Sequence, residues 1–255
     1  MKQAKVIYQG VSKIYQRNGK DFFAVKDADL EVFDNEILCL VGPSGCGKTT
    51  LLNIAAGLVR PELGRVLVDG LEVKGPSGKA GVVFQTDSVF PWMTVASNVE
   101  YGLRVNGMSA QRRKETVKRF LDLVGLSEAA EAWPRELSGG MKKRVDLARA
   151  YAFNPNLLLL DEPFGSLDVI TKGEMQTLLR TIWQAEQKTV LFVTHDVEEA
   201  IFLGHRVAVM KSKPGAVKEI FDVPFTITRT PDLKLEAPFV ELRRKITSAL
   251  TEAAS

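Results

Sequence analysis

The chain of 255 residues has a net charge of +3, with 45% hydrophobic and 25% charged residues. This composition is typical of a globular protein with a substantial core, and the length lies between one large domain and two small ones. The small net charge gives no support to nucleic-acid binding, and the densest basic run, Gln111 to Arg119, alternates along a predicted helix as a solvated face does.

Local features argue against two further classes of protein. The longest apolar runs are far shorter than the roughly 20 residues that a membrane-crossing helix needs. The opening residues, MKQAKVIY, lack the apolar core and cleavage site of a secretory signal. The two cysteines, Cys39 and Cys46, form neither a disulfide framework nor a metal-ligand pattern. We therefore expect a cytoplasmic chain that does not cross a bilayer by itself.

In chain order, two kinds of strand are predicted. The first kind is short and is joined by turns that contain glycine and asparagine, and we expect a small antiparallel edge from Val6 to Tyr15, Phe23 to Val32 and Gly64 to Gly70. The second kind is apolar and rich in β-branched residues, at Glu36 to Val41, Ala80 to Phe84, Leu157 to Leu160 and Thr189 to Val193. Helical patterns between or after most of the apolar strands predict an α/β fold with a mostly parallel sheet.

Helices interrupt this α/β pattern between the second and third apolar strands. The periodicity predicts them over Val95 to Val105, Ala110 to Val124 and Gly140 to Phe153. We divide the chain into an α/β core (1–88 and 157–222), an inserted helical subdomain (89–156) and a C-terminal tail (223–255). The tail has an amphipathic helix near Phe239 to Leu250, whose apolar face predicts a partner without identifying it.

The segment GPSGCGKT fits the pattern G-x-x-x-x-G-K-[ST], follows a predicted strand and opens a helix. Its glycines let the backbone wrap so that successive N–H groups point at phosphate oxygens, and the helix N-terminus adds a favourable dipole. Lys48 is placed to reach the β- and γ-phosphates, and the Thr49 hydroxyl to ligate Mg²⁺. The candidate phosphate site comprises Gly42, Pro43, Ser44, Gly45, Cys46, Gly47, Lys48, Thr49 and Thr50.

Two acids end the apolar strand Leu157 to Leu160. A buried parallel strand delivers such carboxylates to a site at its carboxyl end. Asp161 is a candidate ligand of Mg²⁺, and Glu162 a candidate general base that accepts a proton from an attacking water or orients it. A helix N-cap is the alternative for an acidic pair of this kind, and the phosphate loop upstream favours the functional interpretation.

The run Leu137-Ser138-Gly139-Gly140 lies just before a predicted helix, where a hydroxyl and glycine N–H groups form a second anion-binding helix start. A simple N-cap is the alternative here too. Two phosphate-type sites in one chain for one nucleotide make most sense if they come from different subunits of a symmetric dimer that encloses ATP.

Taken together, these segments resemble the ATP-binding cassette (ABC) transporter ATPases. The residues that carry the resemblance are the phosphate loop, Gln85, Leu137 to Gly140, Asp161-Glu162, Ser166-Leu167-Asp168 and His195, which follow one another in the order found in that family. The likeness runs from about Val6 to Met210. The resemblance implies a P-loop NTPase (RecA-like) core, hydrolysis of ATP with Mg²⁺, and a head-to-tail homodimer. In that dimer Ser138 and Gly140 of one subunit contact the γ-phosphate held by the other.

The resemblance also implies roles for single residues. Tyr15 is the aromatic that stacks on adenine, although Phe22 or Phe23 can take that place and Tyr15 can be a surface strand residue. Gln85 contacts Mg²⁺ and the attacking water and senses a membrane partner. His195 donates to the γ-phosphate and positions the water of Glu162, and Asp168 lies in the loop that meets the partner subunit.

Met141 stands where many members carry glutamine. This residue and the segments Phe90 to Val95 and Glu162 to Asp168 make the chain resemble the importers for nitrate, taurine and aliphatic sulfonates. That resemblance implies transmembrane permease subunits, indirectly an extracytoplasmic solute-binding protein, a place on the cytoplasmic face of the cell membrane, and no nucleic acid. The apolar residues Phe90, Trp92, Met93 and Val95 are candidates for docking the permease, with core packing as an equal alternative for each.

Three other functions have weaker support in the sequence. A soluble ABC ATPase acting on nucleic acid or ribosomes typically has a long coiled coil or two fused cassettes, and this chain has one phosphate loop and no sustained heptads. An exporter ATPase is permitted by the single-cassette layout. A small-molecule kinase would have no use for the run Leu137 to Gly140.

Overall fold

The structure is a computed structural model that describes residues 3–17, 19–86, 88–226 and 228–254. The strands are β1 (Ala4–Arg17), β2 (Lys20–Phe33), β3 (Ile37–Val41), β4 (Leu63–Val68), β5 (Leu71–Glu72), β6 (Ala80–Val83), β7 (Leu157–Asp161), β8 (Thr189–Val193), β9 (Arg206–Lys211) and β10 (Ala216–Asp222). The α-helices are α1 (Lys48–Ala55), α2 (Val95–Val105), α3 (Ala110–Leu123), α4 (Gly139–Ala152), α5 (Val169–Glu186), α6 (Val197–Leu203) and α7 (Ala237–Ala254).

The main sheet has six strands in the order β10-β9-β3-β8-β7-β6. All neighbours are parallel except β10, which runs antiparallel to β9 at one edge. The interior strands are apolar apart from polar residues at their ends because both faces are covered, and the aliphatic residues of β3, β7 and β8 are fully buried. The predicted α/β fold with a mostly parallel sheet is confirmed.

The alternation of side chains along the main sheet divides the interior into two cores. Leu38, Leu159 and Leu191 point into the core shared with β1, β2, β4 and α1. Their sequence neighbours Cys39 and Leu160 point into the opposite core, which is formed with the inserted helices α2 to α4 and with α5 to α7. The main sheet therefore lies between a β layer and a helical layer. The carboxyl ends of its parallel strands are not covered by either layer.

The antiparallel strands differ from the prediction in one respect. They form a sheet of their own, in the order β2-β1-β4-β5, rather than an edge of the main sheet. The reason is length, because β1 and β2 pair over 14 residues each and present enough buried side chains, such as Val6, Tyr8 and Leu30, to make a separate layer. The antiparallel edge strand of the main sheet is β10, a strand that the sequence pattern did not predict.

The helices α2, α3 and α4 lie between β6 and β7 in the chain, close to their predicted bounds. Helix α4 begins one residue earlier than predicted, at Gly139, because the Ser138 hydroxyl caps it by accepting a hydrogen bond from the Met141 N–H at 3.3 Å. Within the described residues, no helix is long and apolar enough to cross a membrane.

The C-terminal tail packs on the core of its own chain. Helix α7 is longer than predicted at both ends, and it buries Phe239, Ile246 and Ala249. Before it, the buried Arg229 guanidinium donates hydrogen bonds to the carbonyl oxygens of Ile201, Phe202 and Gly204 at 2.8–2.9 Å. These carbonyls end α6, so the tail caps that helix and covers its outer side.

Candidate active site

The phosphate loop connects β3 to α1 at the open edge of the main sheet. Gly47 has φ 94°, and a Cβ there would lie 2.5 Å from Val25 Cγ2 and 2.7 Å from the Ala24 carbonyl oxygen. A Cβ on Gly42 would lie 2.6 Å from Cys46 Sγ. Both positions therefore require glycine, one for its backbone conformation and both for lack of space. The loop backbone therefore packs closely against its surroundings at these two positions.

Lys48 is the first residue of α1, and its side chain turns back under the loop. The ammonium is buried and donates hydrogen bonds to the carbonyl oxygens of Gly42 at 2.8 Å and Pro43 at 3.2 Å. These bonds turn two carbonyl oxygens of the loop toward the lysine, which is the arrangement expected of a loop that presents its other N–H groups to an anion.

Thr49, the second residue of α1, lies beside Asp161, the last residue of β7. The Thr49 hydroxyl donates to Asp161 Oδ1 at 3.0 Å. Burial raises the pKa of Asp161, and the nearby charge of Glu162 adds to that effect, while the hydrogen bond from Thr49 opposes it. Two adjacent hard oxygen donors, one of them a carboxylate that a positive charge would stabilise, fit the ligand chemistry of Mg²⁺.

Glu162 is the residue after β7 and has the unusual φ of 44°. Its N–H donates to the Val193 carbonyl at 2.9 Å, which fixes the turn against β8. Its carboxylate Oε2 lies 3.0 Å from Nδ1 of His195, the second residue after β8. The sequence predicted both side chains for the site, and the structure adds that they form a hydrogen-bonded pair.

Gln85 follows β6 on the far side of β7. Its exposed amide and the carboxylate of Glu162 flank Gly165, since a Cβ on that glycine would lie 3.6 Å from Gln85 Nε2 and 3.7 Å from Glu162 Oε2. Because β3, β6, β7 and β8 are parallel, their carboxyl ends bring the phosphate loop, Gln85, the two acids and His195 to one edge.

A cavity of ≈ 340 Å³ opens above the phosphate loop. At one end it is lined by Tyr15 and Phe22, whose ring centroids are 6.2 Å apart, and at the other by Glu162. Lys13 places its ammonium 5.2 Å from the Tyr15 ring centroid. Phe23 does not line the cavity and instead contacts Lys26. The other lining residues are Ala24, Ser44, Gly45, Gly47, Lys48, Thr49 and Thr50.

Ser138 and Asp168 cap two adjacent helices away from this cavity. Asp168 accepts hydrogen bonds from the N–H groups of Ile170 and Thr171 at 3.1 Å, and the latter is the main reason why its pKa lies below the ordinary value. The two helix starts touch, because a Cβ on Gly140 would lie 2.7 Å from Thr171 Cγ2. Ser138, Gly139, Gly140 and Asp168 thus form a second group that does not line the cavity.

Comparison with known proteins identifies the arrangement. The profile of the family described as ABC transporter matches residues 25–165, more than half of the chain. The chain belongs to the ABC transporter family. It is therefore an ABC ATPase, a protein that binds and hydrolyses ATP.

Individual relatives of this ABC ATPase include two importer subunits. The nitrate import ATP-binding protein of Synechocystis sp. is 46% identical over 89% of this chain and 88% of its own length. The taurine import ATP-binding protein of Yersinia pestis is 46% identical over 79% of both chains. A solved dimeric ATP-binding cassette in a post-hydrolysis state, bound to ADP and phosphate, has a TM-score of 0.75 and 32% identity, covering 87% of this chain and all of that one.

Tyr15 lines the cavity, so its expected stacking on the adenine base can be tested. Replacing it by Ala is expected to weaken ATP binding by about 1 to 3 kcal/mol, because a base stacked on an aromatic ring contributes that much. Tyr15→Phe keeps the π face and should bind as the wild type does. Calorimetric titration with a non-hydrolysable ATP analogue measures the difference. Equal affinity of Tyr15→Ala and the wild type, with a loss in Phe22→Ala, would assign the stacking to Phe22.

Sequence reasoning missed a polar cluster on the buried face of α4. Lys143, Asp146 and Arg149 recur every three residues, which places them on one side of the helix. All three contact the segment around Gln85. The sequence contained a signal for this cluster. The three charged residues lie on one side of α4 together with positions of the helix that are buried, where apolar residues are the usual choice.

Proposed function

We propose that the chain is the nucleotide-binding subunit of an importer, in which a head-to-tail homodimer closes on ATP and drives a transmembrane permease. The observation that carries the dimer is the separation of its two phosphate-type sites. The cavity contains Lys48 and Glu162, whereas Ser138 and Gly140 begin a helix that does not line it. A second copy in the opposite orientation would bring this helix start to the cavity of the first.

The proposed roles in hydrolysis follow from the contacts. Lys48 and the loop N–H groups bind the β- and γ-phosphates, and Thr49, Asp161 and Gln85 would hold Mg²⁺, which when bound neutralises charge on the phosphates. Glu162 accepts the proton of the attacking water. His195, held 3.0 Å from the Glu162 carboxylate, fixes its orientation and adds a hydrogen-bond donor for the γ-phosphate.

The proposed permease surface lies on the inserted segment 89–156, which we treat as a helical subdomain of the cassette. Trp92 is 67% exposed and contacts Phe90, which in turn packs edge-on against Tyr101 with centroids 5.0 Å apart. Asn98 holds this loop by accepting from the Phe90 N–H at 2.7 Å. Val95 is fully buried and belongs to the core, so of the four apolar candidates Trp92 is the best placed for docking.

The direction and cargo of transport rest on the relatives. Import of a small solute such as nitrate, taurine or an aliphatic sulfonate places the subunit on the cytoplasmic face of the cell membrane, with an extracytoplasmic binding protein delivering the solute. The test is reconstitution with a transmembrane permease that co-purifies with the subunit, in liposomes that contain ATP on the subunit's side. ATP-dependent movement of nitrate or taurine toward that side supports import. Outward movement would support an exporter, and RNA-stimulated hydrolysis without a permease would support the soluble alternative.

Trp92→Ala is expected to weaken binding to the permease by about thirtyfold or more, since a tryptophan that becomes buried at the centre of an interface contributes about 2 kcal/mol or more. Trp133→Ala is the matched control, because Trp133 is also exposed on the inserted segment, and the ring contacts of the described residues pair Phe90 with Trp92 and Tyr101. Quantitative pull-down with the tagged permease measures the effect. Retention of the permease by Trp92→Ala at the control level would remove this surface from the proposal.

A further inference from the structure

The polar cluster on α4 comprises Lys143, Asp146, Arg149 and, from the segment after Gln85, Ser88. The side chain of Lys143 is 1% exposed and that of Asp146 is fully buried. Burying an ammonium and a carboxylate is costly unless both are hydrogen-bonded and paired. The cluster is therefore built around specific partners, and those partners identify what it does.

Lys143 donates to the backbone around Gln85. Its ammonium lies 2.9 Å from the carbonyl oxygen of Gln85 and 3.2 Å from that of Phe84, with Asp146 Oδ2 at 3.7 Å. The last residue of β6 paired with β7 is Val83, so both carbonyls lie just beyond the strand ladder. The hydrogen bonds from Lys143 therefore hold this backbone in place where the hydrogen bonds of the sheet have ended.

Asp146 and Arg149 hold the same segment on the other side of Gln85. Asp146 accepts from the Ser88 hydroxyl at 2.9 Å and from the Ser88 N–H at 3.3 Å. Arg149 donates to the Ser88 carbonyl at 2.7 Å and to Asp146 at 2.9 Å. One face of α4 thus anchors the backbone before and after Gln85, while the Gln85 side chain stays exposed beside Gly165.

Helix α4 is also the helix that Ser138 begins. We propose that Lys143 is a positioning residue that fixes Gln85 relative to this helix, so that a contact of Ser138 with ATP held by the partner subunit is transmitted to Gln85 in its own subunit. The distance is short, because Ser138 and Lys143 are separated by little more than one helical turn. This inference rests on the proposed roles of Gln85 and Ser138.

The first test replaces Lys143 by Met, with Lys245→Met as the control because Lys245 is exposed on α7. We expect kcat for ATP hydrolysis to fall about tenfold with little change in KM, since a lost charged hydrogen bond costs on the order of that factor. Hydrogen exchange at the amides of Phe84, Gln85 and Ser88 should rise in the nucleotide-free protein. Wild-type exchange and a wild-type kcat in Lys143→Met would overturn the inference.

Ser88→Ala is the second variant, in case removal of a buried charge prevents folding. It deletes the hydroxyl's hydrogen bonds with Asp146 and Arg149 and leaves the Lys143 bonds in place, so we expect the same changes at smaller size. Exchange that is unchanged in Ser88→Ala, and a kcat equal to the control, would count against the cluster.

Gln85→Ala separates the inference from the proposed function. If Lys143 acts through Gln85, the double variant Lys143→Met, Gln85→Ala should hydrolyse ATP no more slowly than Gln85→Ala alone. A further tenfold loss in the double variant would show that Lys143 acts by another route. If Gln85→Ala itself hydrolyses ATP as the wild type does, the proposed role of Gln85 fails, whatever Lys143 does.

Discussion

Replacing Glu162 by Gln is expected to lower the rate of ATP hydrolysis by about 10²- to 10⁴-fold, the range that a positioned general base contributes. The substitution keeps the size of the side chain and one hydrogen-bond acceptor. The glutamine can therefore still bond to His195, whose Nδ1 lies 3.0 Å from the Glu162 carboxylate. ATP binding should survive because the phosphate loop is untouched. In the proposed cycle hydrolysis opens the closed dimer, so that dimer should accumulate with ATP.

Two measurements on one sample test this expectation: phosphate release and molar mass by light scattering, each with ATP and Mg²⁺. Glu115→Gln is the control, because Glu115 is an exposed carboxylate on α3 that pairs with Gln111. Phosphate release near the wild-type rate would show that Glu162 is not the base. Absence of a dimer at every nucleotide condition would remove the proposed contact of Ser138 and Gly140 across the subunit boundary.

Replacing Lys48 by Met is expected to lower kcat/KM for ATP by roughly 10²-fold or more, because a preorganised donor to the charge that develops on phosphate is lost. The apolar side chain fills the space of the buried lysine stem, so the fold should be kept. It cannot replace the hydrogen bonds to the carbonyls of Gly42 and Pro43, and the loop should consequently hold phosphate less well.

Calorimetry with ATP and a hydrolysis assay separate the two parts of this effect. Lys118→Met is the control, since Lys118 is exposed on α3. A thermal unfolding midpoint close to that of the wild type would show that the loss belongs to the site. Hydrolysis by Lys48→Met at the control rate would contradict the assignment of Lys48 to the phosphates.

The fold could be predicted where its signals are local. The interior strands β3, β7 and β8 are apolar apart from polar residues at their ends because they are buried on both faces, and that pattern is visible in any window of the sequence. Strands β9 and β10 were not predicted. The residues of β10 are exposed or half-buried at the sheet edge, so little hydrophobic pattern marks them. The helix α7 was found, but only the folded chain shows that its apolar face lies on α6 and β9.

The same distinction applies to the site. The phosphate loop and the acidic pair each lie within one short segment, where strand, turn and helix signals coincide. The pairing of His195 with Glu162 joins residues 33 apart in sequence, and the bond from Lys143 to Gln85 joins residues 58 apart. Such contacts depend on strand order and on which side of α4 faces the sheet, neither of which the local pattern determines.

The strand order also has a consequence for how the protein is made. Strand β3, which precedes the phosphate loop, has β8 and β9 as its two neighbours, and these lie about 150 and about 170 residues later in the chain. During synthesis from the N-terminus, β1 and β2 have each other to pair with, whereas β3 must wait until Thr189–Val193 and Arg206–Lys211 leave the ribosome. The apolar strand at the centre of the mature protein is thus left without sheet partners for most of translation.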